Sequence, residues 1–193
     1  MGHREDLLEG AKRCLLEKGF VRTTARDIVK ESGTNLASIG YHYGSKDALL
    51  TQAFVELVQE WGESFDPAAQ RDAADGGTVE RFHDVWARML ASTDAFRPVW
   101  AASLEIATQG ERLPELRKLM AEAQTEGRSG LVAMFTGRDE ATLDEHTVRT
   151  LGGFYQALLN GLMVQWLFDP ASAVSADDLT AGLRQVIEAA TEK

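Results

Sequence analysis

Apolar residues recur at helical spacing along nearly the whole chain, and no stretch alternates apolar and polar residues as a half-buried strand would. The first helical stretch covers about Arg4 to Lys18, with Leu7, Leu8, Ala11, Cys14 and Leu15 on one face. Gly19 is its C-terminal stop, and Phe20 folds back beneath it. Two short helices are predicted next. Thr24 and Asp27 have the spacing of a capping box ahead of Ile28 and Val29. Gly33, which takes positive φ at no steric cost, supplies the turn, and Asn35 caps a second helix from Leu36 to about Tyr43. Ser45 caps a longer helix to about Glu63, along which Leu49, Leu50, Phe54, Leu57, Val58 and Trp61 keep the helical period. The segment from Thr24 to Lys46 therefore has the layout of a helix-turn-helix, whose second helix enters the major groove of DNA.

Beyond a loop rich in Asp, Ala and Gly (Asp66 to Gly77), the same periodicity continues. Thr78 caps a helix over about Val79 to Thr93. Another runs from Pro98 to Thr108, with Gly110 ending it. Pro114 suits a helix start, where its missing N–H is no loss, and that helix reaches about Phe135 with softening expected at Gly127 and Gly130. Thr142 and Glu145 have capping-box spacing before a long helix to about Phe168, which Asp169-Pro170 stops. Ser175 and Asp178 repeat that spacing before a last helix to about Ala190. The expectation is an all-α protein of about nine helices, with a three-helix DNA-binding domain at residues 1–46 and a second helical domain at 47–193.

Charge complicates the DNA reading. Residues 1–50 hold eight Lys/Arg and seven Asp/Glu, a balance of +1; residues 51–193 hold twelve and twenty-three, a balance of −11, which together give the formal −10. A nucleic-acid partner needs cations to displace phosphate counterions, so the contact with DNA must be narrow and confined to the first fifty residues. The single cysteine, Cys14, excludes an intramolecular disulfide, fits a reducing cytoplasm, and lies on an apolar face where a buried structural thiol is expected. No secretory leader pattern opens the sequence. Thr150 to Phe168 contains no charged residue and is long enough to span a bilayer. Its Tyr155, Gln156, Asn160, Gln165 and three glycines point to burial against protein instead, so no membrane partner is expected.

Residues Gly19-Phe20, Thr23-Thr24, Arg26-Asp27-Ile28, Ser32-Gly33, Ser38-Ile39, Tyr41-His42-Tyr43 and Gly44-Ser45-Lys46 with Leu49 resemble the tetracycline-repressor (TetR) family of transcriptional regulators. The resemblance covers about residues 7 to 50; later helices match in number and order only. It implies a dimeric DNA-binding regulator, by habit a repressor, with backbone contacts from the helix ends and base reading from the second helix of the motif. It also implies that the C-terminal domain serves ligand binding and dimerisation.

Ile39 is expected to point inward, leaving Leu36, Ala37, Gly40 and Tyr41 nearer the groove, with Ser38 beside them. Thr24 offers a helix N-terminus with a free hydroxyl to phosphate, Lys46 an ammonium in the first turn of the next helix, and Tyr41 and His42 donors at the groove rim. Tyr43 is read as packing. Many family members carry a tyrosine where Gly40 stands, whereas here the tyrosine is one place later. With no Arg, Asn or Gln in this helix after its cap, specificity is expected from thymine methyls and DNA shape.

A lone helix-turn-helix binds weakly, so a homodimer on a pseudo-palindromic double-stranded operator is expected. Gly153, Ala157 and Gly161 form a small-residue stripe that can pack on the same helix of a second copy, with Leu183 and Ile187 of the last helix completing the seam; the alternative is a seam within one chain. The resemblance also implies a small-molecule effector site, for which Trp86, Met89, Trp100, Met120 and Phe154 are candidate walls, although helical spacing alone reads such residues as core packing; Gln124, Tyr155, Asn160 and Glu105, a carboxylate between Leu104 and Ile106 that would need a partner, are candidate polar anchors. No cofactor or metal is called for. The four histidines are scattered and no phosphate loop appears, which argues against an enzyme. The competing class is an all-helical scaffold or adaptor with a vestigial helix-turn-helix.

Overall fold

The computed structural model describes residues 2–63, 78–108 and 114–191, all of whose regular structure is helical. The helices are α1 (His3–Lys18), α2 (Ala25–Ser32), α3 (Leu36–Tyr43), α4 (Lys46–Glu63), α5 (Val79–Ala91), α6 (Thr93–Thr108) and α7 (Pro114–Thr136). A 3-10 turn follows at Glu140–Thr142. Next comes α8, made of a first turn at Glu145–Thr147, a π-helical stretch at Val148–Gly152 and an α-helix at Gly153–Phe168; α9 spans Ala176–Thr191. Nine helices are thus present among the described residues. The Asp66–Gly77 loop and the Gly110 stop lie outside them.

Local capping chemistry places most boundaries. Gly19 closes α1 at φ 82°, its N–H bonded to the Leu15 carbonyl, and Phe20 is buried behind it. Gly33 adopts the left-handed conformation (φ 67°, ψ 20°) after α2. Ser45 Oγ accepts from the Ala48 N–H at the head of α4, and Ser175 and Asp178 cap α9 reciprocally, each side chain accepting from the other's backbone N–H at 3.1 Å.

Two boundaries differ from the sequence reading. Pro98 does not start α6 but lies inside it, since the helix already begins at Thr93. The carbonyl this proline leaves without a helical partner is that of exposed Asp94, which water can satisfy. Thr142 and Glu145 do not form the cap of α8; Thr142 belongs to the 3-10 turn, and Asp144 caps α8 by accepting from the Thr147 N–H at 2.9 Å. Gly127 and Gly130 do not interrupt α7.

Packing divides the chain into two compact units. The first joins residues 1–64 with 95–119, and the second joins 65–94 with 120–193. In the first, α1 packs on α2 and α4 around Leu7, Ala11, Leu15, Phe20, Ile28, Leu49, Leu50 and Phe54, all buried. Cys14 is buried among them. Gly10 lets α1 and α2 close up, because a Cβ there would stand 2.8 Å from that of Ser32. On α4, Trp61 meets Phe96 and Trp100 of α6 edge to face, with centroids 6.4 and 5.0 Å apart.

In the second unit, Phe82 and Trp86 of α5, Phe135 of α7 and Tyr155 of α8 form one ring cluster, in which Phe135 and Tyr155 stack at 4.1 Å. Val132, Leu159, Leu162 and Met163 are also buried in this unit. Gly152 sits where α7 and α8 approach most closely: a Cβ there would be 2.7 Å from the Arg128 carbonyl oxygen. Buried Gln156 bonds across the same seam, accepting from Arg128 Nε and donating to the Gln124 carbonyl, both at 2.8 Å. Gly152→Ala is therefore expected to destabilise the protein by about 1–2 kcal/mol despite alanine's better helix propensity, because backbone rather than a pliant side chain blocks the methyl. A calorimetric melt against the wild type checks this.

Candidate functional site

The helix-turn-helix is assembled by short-range bonds. Thr24 caps α2 by accepting from the Asp27 N–H at 3.2 Å, while Asp27 Oδ2 accepts from the Thr24 N–H at 2.9 Å and from its hydroxyl at 2.6 Å. Lys18 adds a 2.6 Å ion pair to Asp27. Its hydrogen bond, followed by those from Thr24, holds the Asp27 carboxyl well below the usual carboxylate range. Asn35 Oδ1 accepts from the Ser38 N–H at 3.1 Å and so starts α3. Ile39 is the one buried residue of α3 and pins the helix to the core.

That anchor determines which surface α3 turns outward. Leu36, Ala37, Gly40 and Tyr41 are exposed, Tyr41 at 86%, and Ser38 and His42 are half-buried. The Gly40-Tyr41 step thus aims a whole phenol ring at solvent, with His42 edge-on to it at 4.8 Å. Tyr43 turns the other way: its hydroxyl donates to the Arg4 carbonyl at 2.6 Å, and the Arg4 guanidinium lies 5.5 Å above its ring. Among the described residues nothing lies within 4 Å of where a Cβ on Gly40 would stand, so the outward surface of α3 is open there.

Two phosphate candidates are engaged where the sequence suggested freedom. The Thr24 hydroxyl is not free but donates to Asp27. Lys46 Nζ pairs with Asp47 at 2.8 Å and donates to the Thr23 carbonyl at 3.3 Å. On α2, Arg26, which the sequence leaves open between a solvated side chain and a phosphate contact, and Lys30, one turn on, are both exposed and form a basic edge. Their i, i+4 spacing beside an N-cap was the signal available.

The candidate effector residues fall in both units. Trp100 and Glu105 belong to the first unit and the others to the second. Glu105 is no free anchor, because its Oε2 accepts from the Val21 N–H at 3.1 Å. Gln124, Phe154 and Asn160 are exposed and Met120 is half-buried, so these four do not line the interior of their unit. Trp86 and Tyr155 belong to the ring cluster, and Met89 is buried in the same unit. Burial among rings pushes the Tyr155 phenol above its ordinary pKa. Trp86 is fully buried and its Nε1 has no hydrogen-bond partner among the described residues.

On α8 the small residues Ala157 and Gly161 are exposed and Gly153 is half-buried, flanked by exposed Phe154 and Phe168. On α9, Ile187 and Val186 are exposed and Leu183 half-buried. On α8 the glycine at which the chain's own backbone approaches closely is Gly152, one residue before the stripe. Among the described residues no helix is long and apolar enough to cross a membrane.

Comparison with known proteins matches this architecture in both halves. The family described as bacterial regulatory proteins, tetR family, matches residues 7–53, and that described as tetracyclin repressor-like, C-terminal domain, matches residues 77–192. A helix-turn-helix-type transcriptional repressor of Mycobacterium tuberculosis is 30% identical over 169 residues, 84% of this chain and 81% of that protein. Among solved structures, a transcriptional regulator of Streptomyces coelicolor superposes with a TM-score of 0.70 at 22% identity, covering 95% of this chain and 97% of that one. A regulator of Saccharomonospora viridis, solved in complex with choline, gives 0.66 at 25% identity, covering 96% and 95%. With both halves matched in their order, the chain belongs to the TetR family of helix-turn-helix transcriptional regulators, a family of DNA-binding proteins and not of enzymes.

Proposed function

We propose that this regulator acts as a homodimeric repressor that binds a pseudo-palindromic DNA operator through α3 and leaves it when a small molecule binds the C-terminal domain. The observation that carries the DNA part is the orientation of α3: Ile39 buried, with Leu36, Ala37, Gly40 and Tyr41 outward. Ser38 and His42 flank that surface. Thr24 acts at the backbone through the position it gives the first N–H groups of α2, since its hydroxyl is engaged; Arg26 and Lys30 supply charge there. Lys46 exchanges its contact with exposed Asp47 for a phosphate. Base reading rests on apolar contact and DNA shape, as the outward side chains carry a single phenol and no amide or guanidinium.

The pairing of two copies is supported by the exposed apolar surface of Phe154, Ala157, Gly161, Phe168, Val186 and Ile187. The effector is supported by the Trp86 indole, whose N–H has no partner among the described residues, inside an aromatic cluster and by the choline-bound relative. The domain division at residues 46 and 47 remains part of this proposal in functional terms, the first three helices reading DNA and the rest responding.

Selection of bound fragments from genomic DNA, followed by affinity measurement over a range of salt, tests the reading. The expected result is an inverted repeat, bound with a log–log salt slope of roughly 0.9 per phosphate neutralised, and a loss of about tenfold or more on Tyr41→Ala, as for one good base contact of ~1–3 kcal/mol. Absence of any preferred fragment would favour the scaffold reading and overturn this one.

A further inference from the structure

We infer that Glu105 is a positioning residue: a latch by which α6 holds the α1–α2 corner, and through it the head of the helix-turn-helix. The inference rests on the DNA-binding reading above.

The corner, residues 19–24, has few apolar side chains to hold it and is fixed by hydrogen bonds instead. Thr23 is buried, and its hydroxyl donates to the Gly19 carbonyl at 2.7 Å and lies within bonding range of the Cys14 carbonyl at 3.2 Å. Arg22 Nε donates to the Lys18 carbonyl at 2.8 Å. Lys46 reaches the Thr23 carbonyl from α4. From α6, Glu105 Oε2 accepts a hydrogen bond at 3.1 Å from the N–H of Val21, 84 positions away in sequence.

Glu105 is also packed against the corner. A Cβ on Gly19 would lie 2.7 Å from its Oε1 and 3.1 Å from its Oε2. Gly19 is therefore constrained twice, by a φ of 82° and by the carboxylate above it. Three residues beyond the bonded amide, Thr24 begins the cap of α2. A displacement of α6 by about an ångström is enough to carry this bond outside hydrogen-bond range, releasing the Val21 amide in the segment that leads into α2. The open state is accessible, because Val21 is half exposed and water can replace the carboxylate at its N–H. A latch needs two such states of similar energy, both coupled to DNA.

Amide hydrogen exchange on the full-length protein, free and bound to the operator fragment obtained by selection, tests the latch with wild type, Glu105→Ala and Glu105→Gln. In the free protein, Glu105→Ala is expected to speed exchange at Val21 by about tenfold, and Glu105→Gln, whose side-chain carbonyl still accepts, by much less. Operator binding is expected to slow exchange across residues 99–108 in the wild type and to leave that segment unchanged in Glu105→Ala, while the head is protected in both. Equal α6 protection in wild type and Glu105→Ala, or none in either, would overturn the latch. If no variant binds any operator, the functional reading fails, and Val21 exchange in the free protein still decides the contact: equal rates in wild type and Glu105→Ala overturn it.

Discussion

Lys12→Met is expected to cost the protein about 2–3 kcal/mol, lowering its thermal midpoint by roughly 4–10 °C. Lys12 sits on α1 with its side chain 10% exposed, and its ammonium lies 2.7 Å from Glu60, 2.8 Å from Glu56 and 3.3 Å from Glu9. Burial works against the ammonium, yet hydrogen bonds with the three glutamates more than offset that and hold its pKa above the ordinary lysine value. Methionine keeps the apolar stem and removes only the cation. Three carboxylates then face one another across the α1–α4 seam with nothing to neutralise them. Loss of one partner from a fully buried pair costs about 3–5 kcal/mol; here the glutamates are 32–59% exposed and can turn toward water, which reduces the figure. The double variant Lys12→Met/Glu56→Gln is expected to recover more than half of the loss. Urea titrations with an unchanged slope check both; a single variant as stable as the wild type would show that the network contributes nothing.

The cluster illustrates what the sequence could and could not disclose. Caps were legible because their partners lie three residues apart: Thr24 with Asp27, Asn35 with Ser38, Ser45 with Ala48, Ser175 with Asp178. The buried face of α3 was legible for the same reason, since helical period alone sends Ile39 inward. The cap of α8 was misplaced from Asp144 to Thr142 because both residues carry capping oxygens, and only the intervening 3-10 turn separates the two registers. Long-range pairings left no such mark. Lys12 meets glutamates more than forty positions away, and Glu105 meets Val21 across 84. Glu105 looked like a ligand anchor because a carboxylate between two apolar residues needs a partner; the structure supplies that partner from the chain itself. Gly152 and Gly153 are indistinguishable in sequence, and only the position of the Arg128 backbone tells which one permits close packing.

Gly161→Glu is expected to leave the folded protomer intact while abolishing its dimer and weakening operator binding by about 100-fold or more. Within one chain the position is permissive. Gly161 is exposed, helical, and has no atom within 4 Å of where a Cβ would stand, in contrast to Gly152. A side chain there should even favour the helix, because glycine costs up to about 1 kcal/mol against better helix formers. Retention of glycine at an open helical position is accounted for if a second backbone approaches it. A glutamate at the centre of that seam would bury a charge without a partner and wedge the helices apart. The loss at DNA follows from linkage: a second reading helix held at millimolar effective concentration multiplies affinity by about 10²–10⁴, and a monomer forfeits that factor. Sedimentation velocity, far-ultraviolet circular dichroism and operator titration read the three consequences separately. A Gly161→Glu protein that stays dimeric would place the interface elsewhere. A monomer that still bound the whole operator at wild-type affinity would remove the need for a second copy.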